Sequence, residues 1–185
     1  MIRFLLILPA AILLWGCTGK EQRAVPRRPA YPRVEAFRDT VKEVRAGNYL
    51  LSVNACATVT EPREGWLDVS YPGYGAVLHL TATEAATPES LAAAVDNRLQ
   101  RMQLNAGDIP ATQLQFANAA RMSCTLLTAR TGHTPLQFIA VGDKGLVSGA
   151  VSFSGPTTPV DSIAPIIKTL DSEMVNLLKS LRRAD

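Results

Sequence analysis

Apolar residues near the carboxyl end fall on a single stripe. Ile163, Ile166, Ile167, Leu170, Met174, Leu177, Leu178 and Leu181 recur at helical spacing, with Lys168, Asp171, Ser172, Asn176 and Lys179 on the opposite face. The spacing predicts one amphipathic helix over 159–181. Asp161 or Ser162 is placed to cap its start. Pro165 fits only near the first turn, where its missing N–H matters least. Lys179, Arg182 and Arg183 stand at the end, where the helix dipole favours cations. Upstream, PLQFIAVGDKGLVSGAVSF reads as two strands around a Gly-Asp-Lys-Gly turn.

The same reading extends back through the chain. Residues 49–59 form a strand candidate. In 66–71, Trp66, Asp68 and Ser70 alternate with Leu67, Val69 and Tyr71, which is the period of a half-buried strand. Pro72-Gly73-Tyr74-Gly75 is a turn, and 76–83 completes a hairpin. Thr87-Pro88-Glu89 starts a helix whose buried stripe is Leu91, Val95, Leu99 and Met102, ended by Asn105-Ala106-Gly107. Further strands are expected at 112–116, 119–128, 136–141 and 146–153. The order of strands, helix, strands, helix with short connections predicts an α+β fold, a largely antiparallel sheet with two main helices packed on it. That order is similar to the PsbP-like fold.

The amino-terminal pattern is of another kind. Arg3 precedes an apolar run from Phe4 to Trp15, then Gly16 and Cys17. The run is short of the ~20 residues a spanning helix needs, and it reads as a signal peptide over 1–16. Leu14-Trp15-Gly16-Cys17 resembles a lipobox, making Cys17 the expected lipidated residue; an ordinary secretory signal containing a Cys is the alternative. Thr18 after the Cys, in place of an Asp, favours the outer membrane.

Residues 17–45 read as the lipidated Cys and a Pro/Arg-rich tether, with Pro26, Pro29 and Pro32 and few apolar residues. Within it, 35–45 suggests a short helical turn of mixed charge. Charge is divided unevenly. The chain carries +3; Arg3 contributes +1 and 18–45 contributes +4, from eight Lys or Arg against four Asp or Glu, so 46–185 carries −2. The positive balance is therefore a collar beside the lipid, suited to anionic headgroups or simply a soluble spacer, and not a nucleic-acid surface. Residues 46–185 have the length of one domain.

Candidate chemistry is sparse. His79 lies mid-strand and His133 in a loop; two histidines without clustered Cys or acids make a poor metal site, and no metal or cofactor is expected. Cys56 and Cys124 fall on expected strands and form a candidate disulfide in an exported protein, or two small buried hydrophobes. A Cys124–His133 nucleophile pair lacks an orienting third group. Phosphate-loop, nucleophile-elbow and HExxH motifs are missing from the sequence. Tyr71, Tyr74 and Trp66 are candidates for a ligand groove, or for covering a sheet edge or stiffening the hairpin turn.

Several of these segments, in order, resemble the GldD family of gliding-motility lipoproteins. They are Cys17, then RRPAYPRV, then WLDVSYPGYGAVLHLT with Tyr71-Pro72, then the carboxyl block. That block is the most specific part, carrying Gln137-Phe138, Asp143, Gly149-Ala150 and Asp161-Ser162-x-Ala164-Pro165. The family tends to carry a His near MQLNAG, and this chain has none there. The resemblance implies a non-enzymatic outer-membrane lipoprotein facing the periplasm. It would support gliding or type IX export machinery through contacts with other envelope proteins. A periplasmic module binding a small ligand is the alternative.

Overall fold

The structure is a computed structural model that describes residues 40–129, 134–153 and 160–184. Among these residues it has ten strands and two helices. The strands are β1 (Val41–Ala46), β2 (Tyr49–Asn54), β3 (Thr58–Arg63), β4 (Trp66–Tyr71), β5 (Ala76–Glu84), β6 (Ala111–Ala117), β7 (Ser123–Ala129), β8 (Leu136–Gly142), β9 (Gly145–Phe153) and β10 (Arg182–Arg183). The helices are α1 (Pro88–Ala106) and α2 (Val160–Ser180), and a 3-10 turn spans Pro72–Tyr74. All ladders are antiparallel. Seven strands form a sheet in the order β3-β4-β5-β9-β8-β7-β6, and β1-β2-β10 form a second. The expected α+β class with two packed helices is what the chain adopts.

The alternation in the sequence decides the faces of the large sheet. Leu67, Val69 and Tyr71 of β4, Leu78 and Leu80 of β5, and Phe138 and Ala140 of β8 point to one side. There they meet Leu170, Met174, Leu177 and Leu178 of α2, and Leu51 and Val53 of β2. α2 thus lies between the two sheets, contacting β2 as well as β7 and β8. Thr128 Oγ1 donates to Asp171 Oδ1 where α2 crosses β7. The opposite face of the large sheet holds a smaller core, with Met102 of α1 on Ile139 and Leu146. Thr87 and Ser90 cap α1 reciprocally, and Pro88 takes its first turn.

The structure departs from the sequence reading at several points. The single strand over 49–59 is two strands, broken where Asn54 Oδ1 accepts the Cys56 N–H and Ala57 N–H returns to the Asn54 carbonyl. An Asn side chain that mimics a turn outcompeted the apolar run around it. Residues 41–45 are not helical tether. They form most of β1, paired along β2, so the folded body starts before 46. The expected strand over 119–128 starts only at Ser123, because Asn118 folds the chain through Arg121 at φ 61. Helix α2 begins at Val160, which puts Pro165 inside it and past the first turn. Arg182 and Arg183 do not cap that helix: they form β10 on β2, with guanidinium groups on Glu43 at 2.6 Å and Glu84 at 3.1 Å.

Candidate functional site

Helix α1 covers β8 and β9 on its face of the large sheet, leaving the outward face of β4 and β5 with exposed polar side chains. The β4–β5 hairpin sets Asp68 opposite His79. β9 runs beside β5 and brings Ser152 opposite Val77, one step along the same face. Three residues distant in sequence therefore converge. His79 Nδ1 lies 2.7 Å from Asp68 Oδ1, and His79 Nε2 lies 2.9 Å from Ser152 Oγ. At the neighbouring edge, Arg63 stacks on Trp66 with its guanidinium carbon 3.3 Å from the ring centroid.

Carboxylate on Nδ1 and hydroxyl on Nε2 is the connectivity a serine nucleophile uses, with the acid fixing the imidazole tautomer. Among the described residues, the surroundings supply less than that chemistry needs. The His79 side chain is 55% exposed and Asp68 37%, so the pair works against bulk water. The three residues sit on strands in unbroken register. Backbone N–H groups of such strands lie in the sheet plane and not over Ser152, where an oxyanion would need them. The cluster as built ties three strands together on an open face.

The residues singled out from the sequence occupy varied places. Gln137 is buried; it accepts from Asn105 Nδ2 at 3.1 Å and donates to the Met102 carbonyl, fastening the end of α1 to β8. Phe138 lies over Gly149 of β9, where a Cβ would come within 2.6 Å of its ring. Asp143 is in the β8–β9 turn beside a surface cleft lined by Tyr49, Lys144, Arg182 and Arg183. Tyr71 is buried in the main core, where burial and then the nearby Glu173 raise its pKa; Pro72 opens the 3-10 turn. Trp66 is exposed on the opposite face from Tyr71, while Tyr74 packs on the main core, so the three aromatic residues do not form one groove. Cys17 and His133 lie outside the described residues, as do the side chains of Asp161 and Ser162.

The two partners of the candidate disulfide, Cys56 and Cys124, stand as free thiols in the structure. Cys56 is exposed in the turn after β2 and not on a strand, whereas Cys124 is buried on β7. Burial pushes the Cys124 thiol up to about 11, which leaves it an inert core residue. Among the described residues no three His, Cys, Asp or Glu side chains gather as a metal site requires. No described helix is long and apolar enough to cross a membrane.

The sequence reading missed the Asp68–His79–Ser152 contact and the arginines of α1. Half of the first was accessible: Tyr71 and Ala76 close the hairpin, and counting back from them sets Asp68 against His79. Nothing local could have placed Ser152.

A search among curated proteins returns no match for the chain. The family model of gliding motility lipoproteins matches residues 21–183, spanning every element described above. The chain therefore belongs to the gliding motility lipoprotein GldD family.

Proposed function

We propose that this lipoprotein, anchored through Cys17 in the outer membrane and facing the periplasm, supports assembly or stability of gliding and type IX export machinery by holding a partner protein. The observation that carries the reading is the outer edge of β6. No described strand pairs with it. Its sequence, ATQLQFA, has no charge and no proline; it pairs with β7 without a bulge, and Leu114 is exposed. Edge strands normally carry charges, prolines or bulges that block pairing. The other edge of the same sheet has them: β3 contains Glu61, Pro62 and Arg63 and an irregular register. An open ladder beside Gln113 and Gln115 suits an extended segment of a partner, added as an eighth strand. The test replaces Gln113 and Gln115 with Lys. The variant should melt like the parent yet reduce the level of other machinery components as gene deletion does. Full function of the folded variant would overturn docking at this edge.

A further inference from the structure

Helix α1 carries an arginine in its buried stripe. Leu91, Ala94, Val95, Leu99 and Met102 pack toward β8 and β9. Arg98, four residues after Ala94 and four before Met102, sits half-buried in the same row, and Arg101 follows on its flank. Among the described residues neither guanidinium has an acidic partner; the ion pairs there are His79–Asp68, Arg182–Glu43 and Arg183–Glu84. Like charges three apart on a helix destabilise it, and burial adds desolvation. Both effects act on Arg98, whose pKa is lowered first by burial and then by Arg101. Among the described residues, then, two mutually repelling cations stand on one helix face without an ion-pairing carboxylate.

These arginines border a cleft of about 210 Å³ between α1 and the end of β5, completed by Thr83, Ala94, Asn97 and Leu146. That volume is small for a drug-sized ligand, for which pockets run to ~300–1,000 Å³, and ample for a tetrahedral oxyanion with the first atoms of its ester. Every polar side chain in the lining can donate: two guanidinium groups, the Asn97 amide and the Thr83 hydroxyl. Among the described residues no carboxylate lines it. Arginine forks match phosphate oxygens two at a time. Residues 41–185 carry 12 Lys or Arg against 13 Asp or Glu, a net −1, so the cleft is a local positive site and not part of a broadly basic surface. It is distinct from the His79 cluster, which lies four residues away along β5, ~13 Å at ~3.3 Å per residue.

We propose that the Arg98–Arg101 cleft binds a phosphate group, with Asn97 and Thr83 completing its hydrogen bonds. The phosphate can belong to a free monoester or to a lipid headgroup, and the test separates the two. Full-length protein in detergent is melted in rising sodium phosphate against sodium chloride of equal ionic strength. Phosphate should raise the melting temperature saturably while chloride does not. Arg101→Gln, which changes an exposed position, should weaken phosphate binding about 10-fold or more, as expected for a lost charge-assisted hydrogen bond; Arg98→Gln should do the same where it folds. Glycerol 3-phosphate competing with phosphate would assign a soluble ester. Selective binding to phosphatidic acid vesicles over phosphatidylcholine, lost in Arg101→Gln, would assign a headgroup. Equal effects of chloride and phosphate, or an Arg101→Gln protein that binds phosphate like the parent, would overturn the proposal.

Discussion

Glu173 Oε1 accepts the backbone N–H of Asn54 at 2.8 Å, carrying a carboxylate from α2 into the core to close the free edge of β2. Ser180 Oγ does the same for the Ser52 N–H at 2.8 Å. Beyond the short β10 pairing, these helix side chains replace a neighbouring strand. An unmet buried N–H would otherwise cost ~1–3 kcal/mol.

That placement makes stability depend on pH in a stated direction. Burial raises the Glu173 pKa, and the Asn54 N–H only partly opposes it. The folded state therefore binds the proton more tightly than the unfolded one. The stability this contributes is fully present below the ordinary value of 4.5 and is lost as pH climbs through the raised folded value. Gln at 173 keeps the accepting oxygen without the charge. Urea denaturation should show Glu173→Gln gaining on the parent as pH rises from 4.5 to neutrality. A constant difference across that range would mean that Glu173 titrates as in the unfolded chain.

The sequence was most informative where one period ran uninterrupted. The stripe from Ile163 to Leu181 and the alternation over 66–71 each named apolar residues that pack into the core, because burial of one face is the dominant energy there. It misled where one polar side chain reset the backbone, as Asn54 and Asn118 do. It was silent on contacts across strand order. Ser152 meets His79 only because β9 lies between β5 and β8, and β10 exists only because β2 has an edge to fill. Arg98 was hidden for another reason: a cation inside an apolar stripe is read as a flank residue until the cleft beside it is seen.

Gly149 and Phe138 should be mutually dependent. A Cβ at 149 would stand 2.6 Å from the Phe138 ring and 2.9 Å from Leu78 Cδ1 in a packed core. Gly149→Ala is expected to cost ~1–3 kcal/mol by overpacking. Adding Phe138→Leu should recover part of that loss, and a double-mutant cycle of melting measurements would read the coupling. Strictly additive losses would show that the ring moves aside freely.

The two thiols should differ sharply in reactivity. At pH 8 a thiol with a pKa of about 11 is ionised in about one molecule per thousand, and Cys124 is buried besides. Iodoacetamide on native protein should modify exposed Cys56 and spare Cys124 until denaturant is added, as peptide mass spectrometry would show. Equal protection of both in a non-reducing sample, relieved by reductant, would instead reveal a disulfide.

The lipid anchor is tested at Cys17. The apolar run ending in Gly16-Cys17 motivates it, and two or more acyl chains hold far more firmly than one. Cys17→Ser should shift the protein from the membrane to the soluble periplasmic fraction. Retention of the Ser variant on membranes after a salt wash would require a different anchor.

Ser152 offers the sharpest check on whether the exposed cluster does chemistry. Its Oγ has the partner a nucleophile needs, His79 Nε2 at 2.9 Å, and that ring has its carboxylate, Asp68. Activation also requires donors aimed at the developing oxyanion and a site shielded from water. Among the described residues neither is met, on a solvent-facing sheet whose N–H groups lie in the ladder plane. A fluorophosphonate probe is therefore expected to leave the folded protein unlabelled. Ser152→Ala and His79→Asn should each change stability by less than ~1 kcal/mol, as exposed hydrogen bonds do. Labelling at Ser152 that disappears in His79→Asn, with the fold intact by circular dichroism, would turn the reading around. The cluster would then be a working Ser–His–Asp set, with the missing oxyanion donors supplied by a bound partner.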